Sequence, residues 1–191
     1  MTRIIAGRAK GQRIEVPTRG TRPTSDRVRE ACFSAMESWM TAHSRLWQTS
    51  HFVDLFGGSG AMGLEAASRG AETVTIVERN SIASKVIKAN AERLRLEVSN
   101  VTGDAGAWMP RTAVDILYID PPYELDDSSV SGLLQRLTEL PECSGALFIV
   151  ERGARSPSPF VNFPPAILND SWDRSYGDTR LWYGHLVGGS Q

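Results

Sequence analysis

The chain has 191 residues, 41% of them hydrophobic, and a formal net charge of -1, enough for one complete core with an appendage. Two distant cysteines, Cys32 and Cys143, and three scattered histidines exclude a disulfide scaffold, a zinc cluster and a Ser-His-Asp arrangement, and they point to a reducing compartment. No apolar run reaches membrane-spanning length and Thr2-Arg3-Ile4-Ile5-Ala6-Gly7-Arg8 lacks the apolar stretch of a signal peptide, so a cytoplasmic protein without membrane or metal partners is expected.

Near-neutrality hides an asymmetry. Residues 1 to 30 carry eight basic against three acidic side chains, a balance of +5, and the remainder is therefore -6. A basic arm on an acidic body is the footprint of contact with phosphates through one patch. In this arm Ile4, Ile5, Ile14 and Val16 flank the segment Gly7 to Gly11, which predicts a short β-hairpin with Arg8 and Lys10 at its tip. Pro17 to Pro23 reads as a linker, giving an N-terminal extension over 1–23 and a main domain over 24–191. A helix is expected from Thr24, capped by Thr24 or Ser25, with Asp26 in its first turn. Its inner stripe is Val28, Ala31, Cys32, Ala35, Met36 and Trp39, which leaves Arg27 and Arg29 outside.

The segment His51-Phe52-Val53-Asp54-Leu55-Phe56-Gly57-Gly58-Ser59-Gly60-Ala61-Met62-Gly63 reads as a strand that breaks into a glycine-rich turn and continues as a helix to about Arg69, closed by Gly70. Gly58 and Gly60 allow a sharp turn and close approach to a ligand, and Gly63 allows tight helix-on-strand packing. Thr73 to Glu78 is the next strand, and its spacing from Gly58 puts the Glu78 carboxylate where ribose hydroxyls would lie. A helix from Ser81 to about Leu96 is expected to turn Ile82, Val86, Ala89 and Leu94 inward. Val98 to Thr102 forms a third strand, and Asp104 begins a turn.

The fourth strand is the apolar run Val114-Asp115-Ile116-Leu117-Tyr118-Ile119, which ends abruptly in Asp120-Pro121-Pro122-Tyr123. The two prolines lack N-H groups and have fixed φ, so the chain leaves the sheet stiffly there and presents a carboxylate, a carbonyl and a ring. In an open α/β sheet the carboxyl ends of strands are where ligands bind. Adjacent acceptors suit an exocyclic amine with two hydrogens, and Tyr123 offers a face for its base. Alternatively the tetrad is a proline-stiffened loop with Asp120 as a cap. A helix from about Asp127 to Leu140 turns Val130, Leu133, Leu134 and Leu137 inward, and Ala146 to Val150 is a fifth strand. Residues 154 to 170 hold four prolines and read as an irregular loop. Ser171 to Tyr176 and Thr179 to Val187 form a hairpin about Gly177-Asp178. The alternation indicates an α/β fold: one doubly wound sheet with an antiparallel edge.

Gly58-x-Gly60-x-x-Gly63 with Glu78 also fits a dinucleotide site. Asp54 argues against it, because its charge beside the turn would oppose a pyrophosphate, and Asp104 adds another acid at a strand end. Asp54, Glu78 and Asp104 together suit hydroxyls, an adenine amine and a cationic sulfonium, as in S-adenosylmethionine. Each acid could instead be an ordinary cap.

Asp54 to Gly60 resembles the first motif of class I methyltransferases, Val77-Glu78 the second, and Asp120-Pro121-Pro122-Tyr123 the amino-methyltransferase signature. With Arg3-Ile4-Ile5-Ala6-Gly7 and Arg22-Pro23-Thr24-Ser25-Asp26-Arg27-Val28-Arg29-Glu30, nearly the whole chain resembles the RsmD family of bacterial 16S ribosomal RNA guanine-N2 methyltransferases. The resemblance implies a Rossmann-like seven-stranded sheet with a small N-terminal β-hairpin extension, and S-adenosylmethionine as cofactor. It also implies a guanine of 16S rRNA as substrate, in the small subunit or an assembly intermediate. Cofactor contacts are then expected from Asp54, Phe56, Gly58, Ser59, Gly60, Gly63, Glu78, Arg79, Asp104 and Ala105. Asp120, Pro121, Pro122 and Tyr123 would act on the target amine, and Arg8, Lys10, Arg22, Thr24, Arg27 and Arg29 would contact RNA. Gly57 stands where relatives often have alanine, which predicts a looser turn. The rival readings are an adenine-N6 or glutamine methyltransferase sharing the tetrad, and a non-catalytic RNA-binding assembly factor.

Overall fold

The computed structural model describes residues 2–17 and 25–188. Its helices are α1 (Asp26–Ala42), α2 (Ala61–Arg69), α3 (Ser81–Leu94) and α4 (Asp127–Thr138). Its strands are β1 (His51–Asp54), β2 (Thr73–Glu78), β3 (Ser99–Thr102), β4 (Ile116–Ile119), β5 (Leu147–Gly153), β6 (Leu168–Tyr176) and β7 (Thr179–Leu186). They form one seven-stranded sheet in the order β3-β2-β1-β4-β5-β7-β6. Pairing is parallel for β1 with β2, β2 with β3 and β4 with β5, and antiparallel for β7 with both β5 and β6. This is the expected doubly wound α/β sheet with an antiparallel edge. No described helix is long and apolar enough to cross a membrane. By its contacts the chain divides into two compact units, Met1–Trp108 and Met109–Gln191. The boundary expected between residues 23 and 24 falls among residues the structure does not describe.

In the first unit every residue of β1 is buried, as a strand covered on both faces requires. Ser25 caps α1 by accepting from the Val28 amide at 3.3 Å. Asn80 caps α3 by accepting from Ile82 and Ala83, and Arg95 ends that helix in the left-handed conformation. The inner face of α3 differs from the expected one. Ala83, Ser84, Ile87, Asn90, Ala91 and Leu94 are buried, whereas Ile82 is 68% exposed. Small and polar residues carry this face because Ser84 and Asn90 have partners: Asn100 Nδ2 donates to the Ser84 carbonyl at 2.8 Å, and Asn90 pairs with Glu15.

The N-terminal arm folds back on itself as the short hairpin expected, with Arg8 and Lys10 in its turn. Around the antiparallel bridge between Arg3 and Arg13, the Ile4 amide donates to the Gln12 carbonyl, the Gly11 amide to the Ile4 carbonyl and the Ile14 amide to the Thr2 carbonyl, and contacts with α2 and α3 anchor the arm further. Both oxygens of the buried Glu65 carboxylate accept from the arm, from the Ile5 amide at 2.7 Å and the Ala6 amide at 2.9 Å. Ser68 Oγ accepts from the Ala9 amide and donates to the Ala6 carbonyl, and the Ser68 carbonyl accepts from the Arg8 amide. Gly7 makes this approach possible: its φ is +79°, and a Cβ there would stand 1.9 Å from the Ser68 carbonyl oxygen. Farther along, Glu15 exchanges two backbone bonds with the Asn90 side chain of α3. Ile4, Ala9 and Ile14 are the buried apolar residues of the arm's described part.

In the second unit β4 and the first four residues of β5 are fully buried. Helix α4 is capped by Asp126, whose carboxylate accepts from the Ser129 amide at 2.7 Å, and that bond holds its pKa below the usual value. Val130, Leu134 and Leu137 are its buried residues, while Leu133 is only half-buried. The terminal hairpin turns through Gly177-Asp178 as expected, with Gly177 at φ +63°. Most of 154–170 is irregular, but β6 already starts at Leu168 and Phe160 is buried against Gly184, where a Cβ would lie 2.7 Å from its ring.

Candidate functional site

Two clusters, one in each unit, contain the residues singled out from the sequence. In the first, β1 delivers Asp54 and the chain then turns through Leu55-Phe56-Gly57-Gly58-Ser59-Gly60 into α2. Gly58 and Gly60 have φ of +54° and +78°, conformations that L side chains rarely adopt. The turn is tied to β2, since the Gly57 amide donates to the Val77 carbonyl at 2.8 Å and the Gly58 amide to Glu78 Oε2 at 2.7 Å. Gly57 does not loosen it. A Cβ at Gly57 would lie 2.4 Å from Ile76 Cγ2, so this glycine lets the turn sit directly on the strand beneath. Gly63 serves the same end one turn into α2, where a Cβ would meet Ile76 Cγ1 at 2.5 Å. Ser59 is buried and Phe56 half-buried.

Asp54 is only 1% exposed and accepts from the Gly63 amide at 3.1 Å. Burial pushes its pKa up to about 7, against the lowering effect of that amide, and the Glu78 charge adds to the rise. A carboxyl so placed is a ready counter-charge for a cation. Glu78 accepts from the Gly58 amide and, through Oε1, from the Asn80 amide at 2.7 Å. One lone pair on each oxygen is left for a hydroxyl. Arg79 is exposed beside it. The Gly103 amide donates to the Glu78 carbonyl at 3.1 Å, which brings the turn bearing exposed Asp104 and buried Ala105 to the end of β2. The acids and glycines singled out from the sequence in this unit therefore do assemble. Asn80 was missed, although an Asn immediately before a helix is a recognisable cap.

These residues fit S-adenosylmethionine: a buried carboxyl for a cationic amine, a half-satisfied carboxylate for ribose hydroxyls and an exposed acid for an amine, set around a turn that its glycines let lie close on β2. A pyrophosphate would instead meet the Asp54 charge.

In the second unit the tetrad follows β4 directly. Asp120 is half-buried and Pro121 buried, whereas Tyr123 is 77% exposed. The Pro122 carbonyl accepts from the Leu125 amide at 2.9 Å, a tight turn that leads into the Asp126 cap of α4. Arg152 braces this loop from β5, donating to the Leu125 carbonyl at 3.2 Å and pairing with Asp127 at 2.7 Å. Under the strand, Tyr118 donates its hydroxyl to Glu151.

Of the basic residues expected to meet RNA, Arg8, Lys10 and Arg27 are exposed. Arg22 and Thr24 lie outside the described residues. Arg29 does not belong with them: it is 0% exposed, donates to the Arg3 carbonyl at 2.5 Å and pairs with Asp26 at 3.0 Å. The buried face of α1 is wider than the expected stripe and takes in Phe33 and Met40 as well as Arg29, so this cation closes the helix against the arm.

The family model described as Conserved hypothetical protein 95 matches residues 2–184. Ribosomal RNA small subunit methyltransferase D of Escherichia coli is 33% identical over 168 residues, spanning 83% of this chain and 78% of that protein. The chain belongs to the RsmD family of methyltransferases. Solved structures agree with an RsmD fold. A hypothetical protein of Thermus thermophilus superposes with a TM-score of 0.76 at 26% identity, covering 98% of this chain and 99% of that one. The putative methyltransferase yhhF of Escherichia coli gives a TM-score of 0.73 at 28% identity, covering 97% of this chain and 98% of that one.

Proposed function

We propose that this RsmD-family chain transfers a methyl group from S-adenosylmethionine to the exocyclic N2 amine of one guanine in 16S rRNA, within the small ribosomal subunit or an assembly intermediate in the cytoplasm. The observation that carries this reading is the tetrad: a wholly buried strand ends in a half-buried carboxylate and a buried proline, with an exposed tyrosine ring two residues beyond.

When bound, S-adenosylmethionine supplies a methyl carbon activated by its sulfonium leaving group. Asp54 balances the ammonium of the methionine part, Glu78 accepts from the ribose hydroxyls, and Asp104 accepts from the adenine amine, while Phe56, Ser59, Arg79 and Ala105 complete the pocket around the glycine cradle. Tyr123 stacks on the extruded guanine. Asp120 and the Pro121 carbonyl accept the two N2 hydrogens. Those bonds favour a pyramidal nitrogen, whose lone pair is otherwise delocalised into the ring, and Asp120 stabilises the positive charge that develops there as the carbon–sulfur bond breaks, until the nitrogen loses one proton to solvent. Arg8, Lys10 and Arg27, with Arg22 and Thr24, hold RNA phosphates.

The test is mass spectrometry of small-subunit RNA from cells lacking the protein. One guanine should lose its N2 methyl group and regain it with the wild-type gene. Complementation by Asp120→Ala should fail although its cofactor affinity stays within a few-fold. An unmethylated wild-type subunit, or full rescue by the variant, would overturn the assignment.

A further inference from the structure

The second unit has a cleft of about 220 Å³ that the methyl-transfer chemistry does not use. One wall is the first two turns of α4, and the opposite wall is the proline-stiffened segment around 157–162. We propose that this cleft is a subsite for the base of a nucleotide flanking the target guanine. The inference rests on the function proposed above and adds a residue-level basis for choosing the RNA site.

Four features support it. The cleft is joined to the tetrad through its own wall, because Arg152 bonds both the Leu125 carbonyl, two residues past Tyr123, and the cleft residue Asp127. A base held there therefore sits on the same braced loop as the target. Its surfaces are those of a ring site, with Val130, Pro159 and Val161 supplying apolar walls, Ser131 and Asn162 supplying neutral donors and acceptors, and Ser128, whose hydroxyl donates to Asp126 at 2.7 Å, supplying an acceptor. Charge excludes a phosphate as its occupant, since Arg152 is already paired with Asp127 at 2.7 Å and the carboxylate would repel a second anion. Finally, the outer wall is held in place: Phe160 is buried against Gly184 while its neighbour Val161 is 73% exposed, an apolar side chain fixed at a rim. The volume lies below the roughly 300 Å³ at which pockets for drug-sized ligands begin, the scale of a single heterocycle.

The test uses the full-length protein and small subunits from cells that lack it. Val161→Ala combined with Asn162→Ala should raise KM for the subunit about tenfold, the share of the lost methyl contacts and one hydrogen bond to the base, and leave cofactor affinity unchanged by calorimetry. Ser131→Trp, which fills the cleft, should raise KM likewise without lowering the melting temperature. In base-specific chemical probing, wild-type protein should shield one base beside the target guanine. The double variant should lose that protection while still shielding the target. Unchanged KM and protection in both variants would overturn the subsite and leave the methyl transfer standing. A raised KM with the flanking base reactive throughout would mean a backbone contact and overturn the base assignment. Wild-type protein that fails to methylate the subunit would overturn the underlying function as well.

Discussion

Asp54 sets a conflict between stability and binding within one side chain. With its folded pKa at about 7 and an ordinary value of 3.8, the native state holds a proton that the unfolded chain has lost between those pH values. Stability therefore falls as pH rises through this window and levels off above about 7, at a cost on the order of 4 kcal/mol. Asp54→Asn keeps an acceptor for the Gly63 amide and removes the charge. Its melting temperature should gain on that of wild type between pH 5 and pH 8, as differential scanning calorimetry would register. The ligand's ammonium needs the ionised form. Cofactor affinity should accordingly rise with pH by up to about tenfold per unit below 7 and flatten above it, and the variant should lose both the affinity and the slope.

At the scale of elements, closeness rather than chemistry decides what the glycines do. Gly63→Ala would push a methyl group into the fully buried Ile76, and such overpacking costs about 1 to 3 kcal/mol, measurable by urea unfolding. Gly7→Ala faces backbone instead of a side chain and should release the arm, exposing the Arg8 to Arg13 segment to limited proteolysis while β1 to β3 stay protected. Much of this organisation was legible beforehand. The turn, β2 and the terminal hairpin announce themselves through glycine spacing and unbroken apolar runs. The face of α3 did not, because Ile82 outweighs Ala83 and Ser84 on any hydrophobicity scale, while the polar partners that let Ser84 and Asn90 go inside lie 16 and 75 residues away. Arg29 was misjudged for a similar reason. A cation on a helix reads as surface unless the carbonyl that receives it is known, and Arg3 sits 26 residues upstream. The cleft beside α4 was invisible for want of any motif in its proline-rich wall.

For the molecule as a whole, the basic arm and acidic body predict a salt-sensitive partner. Replacing Arg8 and Lys10 by alanine should weaken binding to small-subunit RNA and lower the slope of log K against log salt by roughly 1.5, at about 0.7 to 0.9 per lost phosphate contact. An unchanged slope would remove the arm from the interface. The clasp that positions this arm has a consequence for synthesis. Its anchors, Glu65, Ser68 and Asn90, lie 59 to 75 residues downstream of the amides they receive. During vectorial translation the arm is thus made well before the residues that seat it. Its bonds to Glu65 and Ser68 wait for α2 and that of Glu15 waits for α3, and a nascent chain stalled before α2 would display the cationic arm with neither helix to hold it.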